Sequence, residues 1–276
     1  RSLFPESYGA VAYDRPAIGA RVAPARAALG AAAAATGRHV VSAFVTSPTF
    51  GGASWLAHAT LMSGFEVTQT PAYNLLLTQE RDTLPKLFGA AGYRAIAWMP
   101  GLRNAWPEGS YYGFHEISGE RELAYRGPDF GWWRIPDQYA LATLDEKELR
   151  PSARPPVFAF FPTINTHVPF RPTPPLQPDW RKLLGPEPYD AQAAAASNAI
   201  TSEWTNLGPA YAATLAYTYE YLASYLLERA EEDFVLVLVG DHQPAASVSG
   251  QGARWDVPEH VITHRAALAD GLRAPG

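Results

Sequence analysis

Hydrophobic positions along the chain alternate between two patterns. Short β-branched and aromatic runs predict strands at 40–46 (VVSAFVT), 94–99 (RAIAWM) and 157–164 (VFAFFPTI). Val235–Val239 (VLVLV) is the clearest, continuously apolar as a strand covered on both faces is. The run 40–46 is read as buried in the same way, and 260–263 is a weaker strand. Between these lie helical patterns. The Ala-rich 16–36 ends at Gly37, and 83–91 is bounded by Asp82 as N-cap and Gly92 as stop. Two more helices cover 136–149 and 209–232, the latter with Leu215, Leu222 and Leu226 at helical spacing beside a Tyr-rich face that is read as core packing.

Strand–helix alternation predicts an α/β fold, a mostly parallel central sheet with helices on both faces. The whole chain, 1–276, reads as one domain, with no internal repeat and no dividing linker. The Pro-rich, then Ala/Ser/Asn-rich segment 171–207 carries no strand signal and is expected to act as a lid over the site.

Composition narrows the function. With 47% apolar and 18% charged residues the chain is globular. A net charge of −5 supplies no basic field for nucleic acid or an acidic membrane. The absence of cysteine removes disulfides, thiolate metal sites and thiol nucleophiles, and fits an exported protein as well as a cytosolic one. No run approaches the roughly 18 apolar residues of a membrane span. The chain starts without a leader pattern, as an excised or processed domain would.

Ligands bind such sheets beyond the carboxyl ends of the strands; three segments there carry candidate chemistry, and a fourth, near the start, says nothing by itself. Asp241-His242 follows VLVLV and Gly240, offering a carboxylate and an imidazole to a metal. Thr49 to His58 follows the first strand; two glycines precede Ser54, which opens an apolar helical run where unpaired N–H groups welcome an anion. A plain helix cap is the alternative reading of Ser54. Asn165-Thr166-His167-Val168-Pro169-Phe170 brings a second imidazole to the end of VFAFFPTI, and Glu6-Ser7-Tyr8-Gly9 lies near the start. The Gly-x-Ser-x-Gly elbow is absent because position 56 is Leu, and neither a P-loop nor a dinucleotide fingerprint occurs.

Together and in this order, the four pieces resemble the alkaline phosphatase/sulfatase superfamily, most closely the sulfatase-like domains of the lipoteichoic acid synthase and phosphoglycerol transferase type. The resemblance runs from Glu6 to about Ile262. It implies one divalent ion (Mn, Zn, Mg or Ca) held by Glu6, Ser54, Asp241 and His242, with Ser54 as nucleophile and His167 as a catalytic, substrate-binding imidazole. Trp106 matches a Trp that the family's transferases carry; where they carry an Arg this chain has Glu108, and Arg103 is the expected substitute. His58, one helical turn after Ser54, is a substrate-binding candidate or equally a histidine of the core or behind the site, and His260 a remote candidate; His39, His115 and His264 are read as surface residues. The formylglycine signature Cys/Ser-x-Pro-x-Arg is missing, since Trp-Leu-Ala-His follows Ser54. No Asp-x-x-x-His pair lies between His167 and Asp241, so a single metal site is expected.

The implied activity is metal-dependent hydrolysis of phosphate mono- or diesters through a phospho-serine intermediate, with sulfate or phosphonate esters as promiscuous substrates. Two alternatives stand beside it: transfer of phosphoglycerol or phosphoethanolamine to cell-envelope glycans, and non-catalytic binding of an anionic glycan or head group. The expected partner is a small-molecule or lipid-head-group phosphate ester, and the expected location extracytoplasmic, in the periplasm or cell envelope.

Overall fold

The computed structural model describes residues 2–273, with side chains from Phe4 onward. Seven strands form one sheet: β1 (Ser2–Phe4), β2 (His39–Thr46), β3 (Arg94–Trp98), β4 (Glu116–Ser118), β5 (Val157–Pro162), β6 (Val235–Val239) and β7 (Asp256–Thr263), in the order β2-β7-β6-β1-β5-β3-β4. The five strands from β6 to β4 are parallel, while β7 runs antiparallel to both β6 and β2. The expected α/β architecture is therefore present, with one reversed strand near an edge.

Alternate residues of the central strands serve two cores, as the period of two requires. Ile96, Trp98, Ala159, Phe161, Leu236 and Leu238 join the helices Pro16–Ala35, Asp137–Leu144 and Gly208–Glu228 on one face. Phe4, Ala95, Ala97, Phe158, Phe160 and Val239 join the helices Ser54–Ser63 and Thr70–Leu76 on the other. The tyrosines of the long helix, Tyr211, Tyr217, Tyr219, Tyr221 and Tyr225, are buried in the first core, as read from the sequence.

Several local expectations change. The apolar run of β2 is not buried. It is the sheet's outer strand, and Val40, Phe44 and Val45 are exposed. The weak 260–263 strand extends to Asp256–Thr263 because β2 pairs along its whole length. The helix Leu84–Ala90 is capped by Thr83, whose Oγ1 accepts from the Lys86 N–H, rather than by Asp82. The helix from Asp137 ends at Leu144 and passes into a wider π-turn over Asp145–Leu149. β1 has three residues, its Ser2 paired between Phe160 and Val237; Arg1 lies outside the described residues. Segment 171–207 contains the short helices Trp180–Leu183 and Ala191–Asn198, and anchors in the first core through Trp180, Leu183, Tyr189 and Ala194.

Candidate functional site

All four chemistry-bearing segments leave strands at the same edge of the sheet. Glu6 follows β1, the glycine turn before Ser54 follows β2, His167 follows β5, and Asp241-His242 follows β6. The turn is shaped by Gly51 and Gly52, both at positive φ, and by Ala53 in the left-handed region, which leaves Ser54 as the first residue of its helix. Gly240 is required by close approach: a Cβ there would lie 1.9 Å from the Tyr8 carbonyl oxygen.

The side chains converge. Ser54 Oγ donates to Glu6 Oε2 at 2.9 Å and stands 3.1 Å from His242 Nε2. His242 Nε2 lies 3.4 Å from Glu6 Oε1 and 3.5 Å from Asp241 Oδ2. Glu6, Asp241 and His242 are buried. Asp241 Oδ1 accepts from the N–H groups of Ser7 at 2.8 Å and of His242 at 2.6 Å, while Oδ2, also buried, has no partner. His242 Nδ1–H donates to the Gln243 carbonyl at 2.7 Å, which leaves the Nε2 lone pair directed at the carboxylates. An unpartnered carboxylate oxygen, a second carboxylate, an imidazole lone pair and a hydroxyl form a donor set suited to one divalent cation. Among the described residues this trio is the group of three or more acidic or imidazole side chains able to share an ion.

The electrostatics show the same crowding. Burial, and then the neighbouring Glu6 charge, push the Asp241 carboxyl well above its ordinary value. Burial also penalises Glu6, but His242 and its hydrogen bonds outweigh this and hold it below the ordinary range. Two acids this close cannot both ionise without a compensating cation.

Supporting contacts come from residues without a motif. Ser47 Oγ donates to the Asp241 carbonyl at 2.6 Å, Thr163 Oγ1 accepts from the Glu6 N–H at 3.2 Å, and Tyr211 O–H donates to the Ser7 carbonyl at 2.9 Å. Asp137, fully buried, clasps the His167 loop: its Oδ1 accepts from Ile164 N–H at 2.8 Å and its Oδ2 from Asn165 N–H at 2.9 Å. Burial pushes the Asp137 carboxyl up to about 7 despite these bonds. A carboxylate reaching back to a loop 27 residues away leaves no local signal in the sequence.

A cavity of about 270 Å³ opens on the cluster, lined by Glu6, Ser54, Trp55, His167 and His242 among others. A larger cavity of about 460 Å³, at the amino ends of β5 and β6, holds neither the nucleophile nor the ligand cluster. Three predicted substrate-binding residues do not line the 270 Å³ cavity. His58 lies beneath it, edge-on to Phe4 and Phe160, because its turn of helix faces the sheet. Trp106 packs on Tyr112 and Phe114 in the second core. Arg103 pairs with Glu120 at 3.4 Å outside the cavity. His260 hydrogen-bonds Tyr8 at 2.8 Å and Ser42 at 2.7 Å instead of entering the site. No residue of 171–207 lines the cavity; Ser202 reaches its neighbourhood through a hydrogen bond to the Pro169 carbonyl.

No curated protein matches the chain in sequence. Solved structures that share its fold include the following three. One is a protein in the alkaline phosphatase superfamily from Vibrio parahaemolyticus (TM-score 0.57, 17% identity, covering 96% of this chain and 59% of that one). The second is the lipoteichoic acid synthase LtaP from Listeria monocytogenes (0.57, 10%, 95% and 64%). The third is the Streptococcus pyogenes phosphoglycerol transferase GacH in complex with sn-glycerol-1-phosphate (0.55, 15%, 95% and 67%). The chain thus spans about three-fifths of the length of the first two. Residues 35–273 match the family described as Sulfatase, and the chain belongs to the sulfatase family, with the fold of the alkaline phosphatase superfamily.

Proposed function

We propose that the protein is a metal-dependent hydrolase of phosphate esters with Ser54 as its nucleophile. The observation that carries this reading is the placement of one hydroxyl within hydrogen-bond reach of Glu6 and His242, with an unpartnered Asp241 oxygen beside them. A divalent cation held by Glu6, Asp241, His242 and Ser54 supplies Lewis acidity and lowers the pKa of the serine hydroxyl.

The remaining chemistry falls to the chain. Ser54 Oγ attacks phosphorus; the new O–P bond forms as the ester P–O bond breaks, and the hydroxyl proton passes toward Glu6 Oε2, its present acceptor. The unpaired N–H groups at the start of the Ser54–Ser63 helix face the developing charge. His167 donates Nδ1–H to the Val168 carbonyl at 2.7 Å, so Nε2 is the nitrogen left to face the ester; as the imidazolium it donates Nε2–H to the departing ester oxygen, which leaves as the alcohol. Water then attacks the phosphorus of the phospho-serine; the Ser54 O–P bond breaks, the phosphate product leaves and a proton from the water returns to Ser54 Oγ.

The test is turnover of phosphate mono- and diesters by the ion-loaded protein and by Ser54→Ala. Loss of turnover in the variant supports the reading; full metal-dependent turnover by Ser54→Ala overturns it.

Transfer to an alcohol is the second reading. It is supported by the likeness to GacH, a phosphoglycerol transferase solved with sn-glycerol-1-phosphate. The same nucleophile serves both, since only the acceptor differs. Competition between water and polyol acceptors, read by phosphorus NMR of the products, separates them. An extracytoplasmic location belongs to the same proposal.

A further inference from the structure

The cavity over Ser54 is about 270 Å³, just below the roughly 300–1,000 Å³ of pockets that enclose a small ligand. It has room for a phosphoryl group and a small alcohol such as glycerol, and a bulkier alcohol reaches the rim. This inference rests on the phosphoryl reading above.

One part of the rim is built to present a ring. Residues 130–134 form a small loop closed by reciprocal backbone bonds between Phe130 and Arg134, at 3.3 and 3.2 Å. Gly131 and Arg134 both adopt positive φ, and Phe130 and Trp133 are buried as anchors. Between these anchors Trp132 is 46% exposed. Its indole stands edge-on to His167, ring centroids 4.8 Å apart, so it adjoins the cavity lining directly.

One charged side chain faces this indole, and it belongs to a balanced cluster. The Arg103 guanidinium lies over it at 5.8 Å and pairs with Glu120. Glu120 also pairs with Arg134, which in turn holds Asp129 at 2.9 Å. Two guanidinium groups meet two carboxylates, so the patch attracts neither an anion nor a cation overall. It offers an N–H donor at the ring and, through the ion pairs, carboxylate acceptors in the same cluster. The charged cluster that reaches the indole through Arg103 also opposes insertion into a bilayer, where its members would lose their hydration.

A ligand that matches an exposed indole flanked by donors and acceptors has an apolar face and a hydroxyl rim. We propose that Trp132, with Arg103, Glu120 and Arg134, forms a subsite for a neutral pyranose ring carried by the alcohol part of the phosphate ester. Trp132 supplies the stacking surface beside His167; the ion cluster reads the hydroxyls.

The experiment compares the ion-loaded protein with Trp132→Ala and Trp132→Phe on two substrate types, glycerol 1-phosphate and the 6-phosphates of glucose, mannose and galactose. For at least one hexose phosphate, Trp132→Ala is expected to lower kcat/KM relative to glycerol 1-phosphate by about tenfold, chiefly through KM, with Trp132→Phe recovering most of it. An equal fall on both substrate types, or none, overturns the subsite, because a merely structural role would leave the ratio unmoved. If none of these esters is turned over, the phosphoryl reading fails separately, and binding decides the subsite. Tryptophan fluorescence is then titrated with maltohexaose, chitohexaose and phosphatidylglycerol vesicles. Saturable binding of either hexaose that Trp132→Ala abolishes supports the proposal; vesicle binding lost in the same variant, or no hexaose binding, overturns it.

Discussion

Ser54 Oγ donates a hydrogen bond to Glu6 Oε2 at 2.9 Å across 48 positions of sequence. The bond joins the first residue of a helix to the end of the strand β1, and sets the nucleophile among the metal-ligand candidates. Ser54→Ala is expected to abolish turnover while leaving the fold intact, because the Ser54 hydroxyl bonds Glu6 and His242 rather than its own helix. Circular dichroism and turnover of the ion-loaded protein check both parts.

The unpartnered Asp241 oxygen predicts metal-linked stability. An ion present at 100 times its Kd adds about 2.7 kcal/mol to a protein that binds it only when folded. Manganese or zinc is therefore expected to raise the unfolding midpoint of the wild type. Asp241→Asn and His242→Gln should weaken that response at least tenfold in ion concentration. Calorimetric titration and denaturation with and without chelator measure it; an unchanged response in both variants would remove the site.

Asp137 links loop geometry to pH. Its carboxyl titrates at about 7 in the fold, against 3.8 for an ordinary aspartate, so the folded state holds more protons between those values. Its contribution to stability is present below pH 4 and is lost as the pH rises toward 7, by on the order of 4 kcal/mol. Urea denaturation of the chelated protein should show this falling slope. Asp137→Asn should flatten it and, by losing one backbone acceptor to the His167 loop, lower activity more than Asp137→Glu.

His58 gives the opposite slope. Burial draws its imidazole down to about 4, against the attraction of Glu6, and its Nε2 has no partner. The unfolded chain binds more protons between 4 and 6.5, so this contribution is lost as the pH falls through that window, by on the order of 3 kcal/mol. His58→Leu should be more stable than the wild type at pH 5 and near it at pH 7, as read by thermal unfolding.

Close backbone approach sets the last expectation. A methyl group at position 240 would lie 1.9 Å from the Tyr8 carbonyl oxygen, against backbone that cannot move without dragging Glu6. Gly240→Ala should cost about 3 kcal/mol or more and weaken ion binding. Gly30→Ala, in mid-helix with nothing within 4 Å, should instead stabilise by up to about 1 kcal/mol. Denaturation midpoints of the two variants test the contrast.

The sequence by itself determined the layered α/β architecture, because periods of two and 3.6 are local properties of each segment. It also singled out Glu6, Ser54, His167 and Asp241-His242, which all lie at strand ends, and strand ends in a parallel sheet share one edge. Only the tertiary structure decided what depends on strand order and long-range partners. The apolar β2 became an exposed edge since β7 covers one side of it alone. His58 and Trp106 went to packing since their faces meet the core, and Asp137 became the clasp of the His167 loop from 27 residues away. The type of element a residue joins is legible in its neighbours along the chain; its burial and its partner across the fold are not, because both are chosen by the assembled sheet.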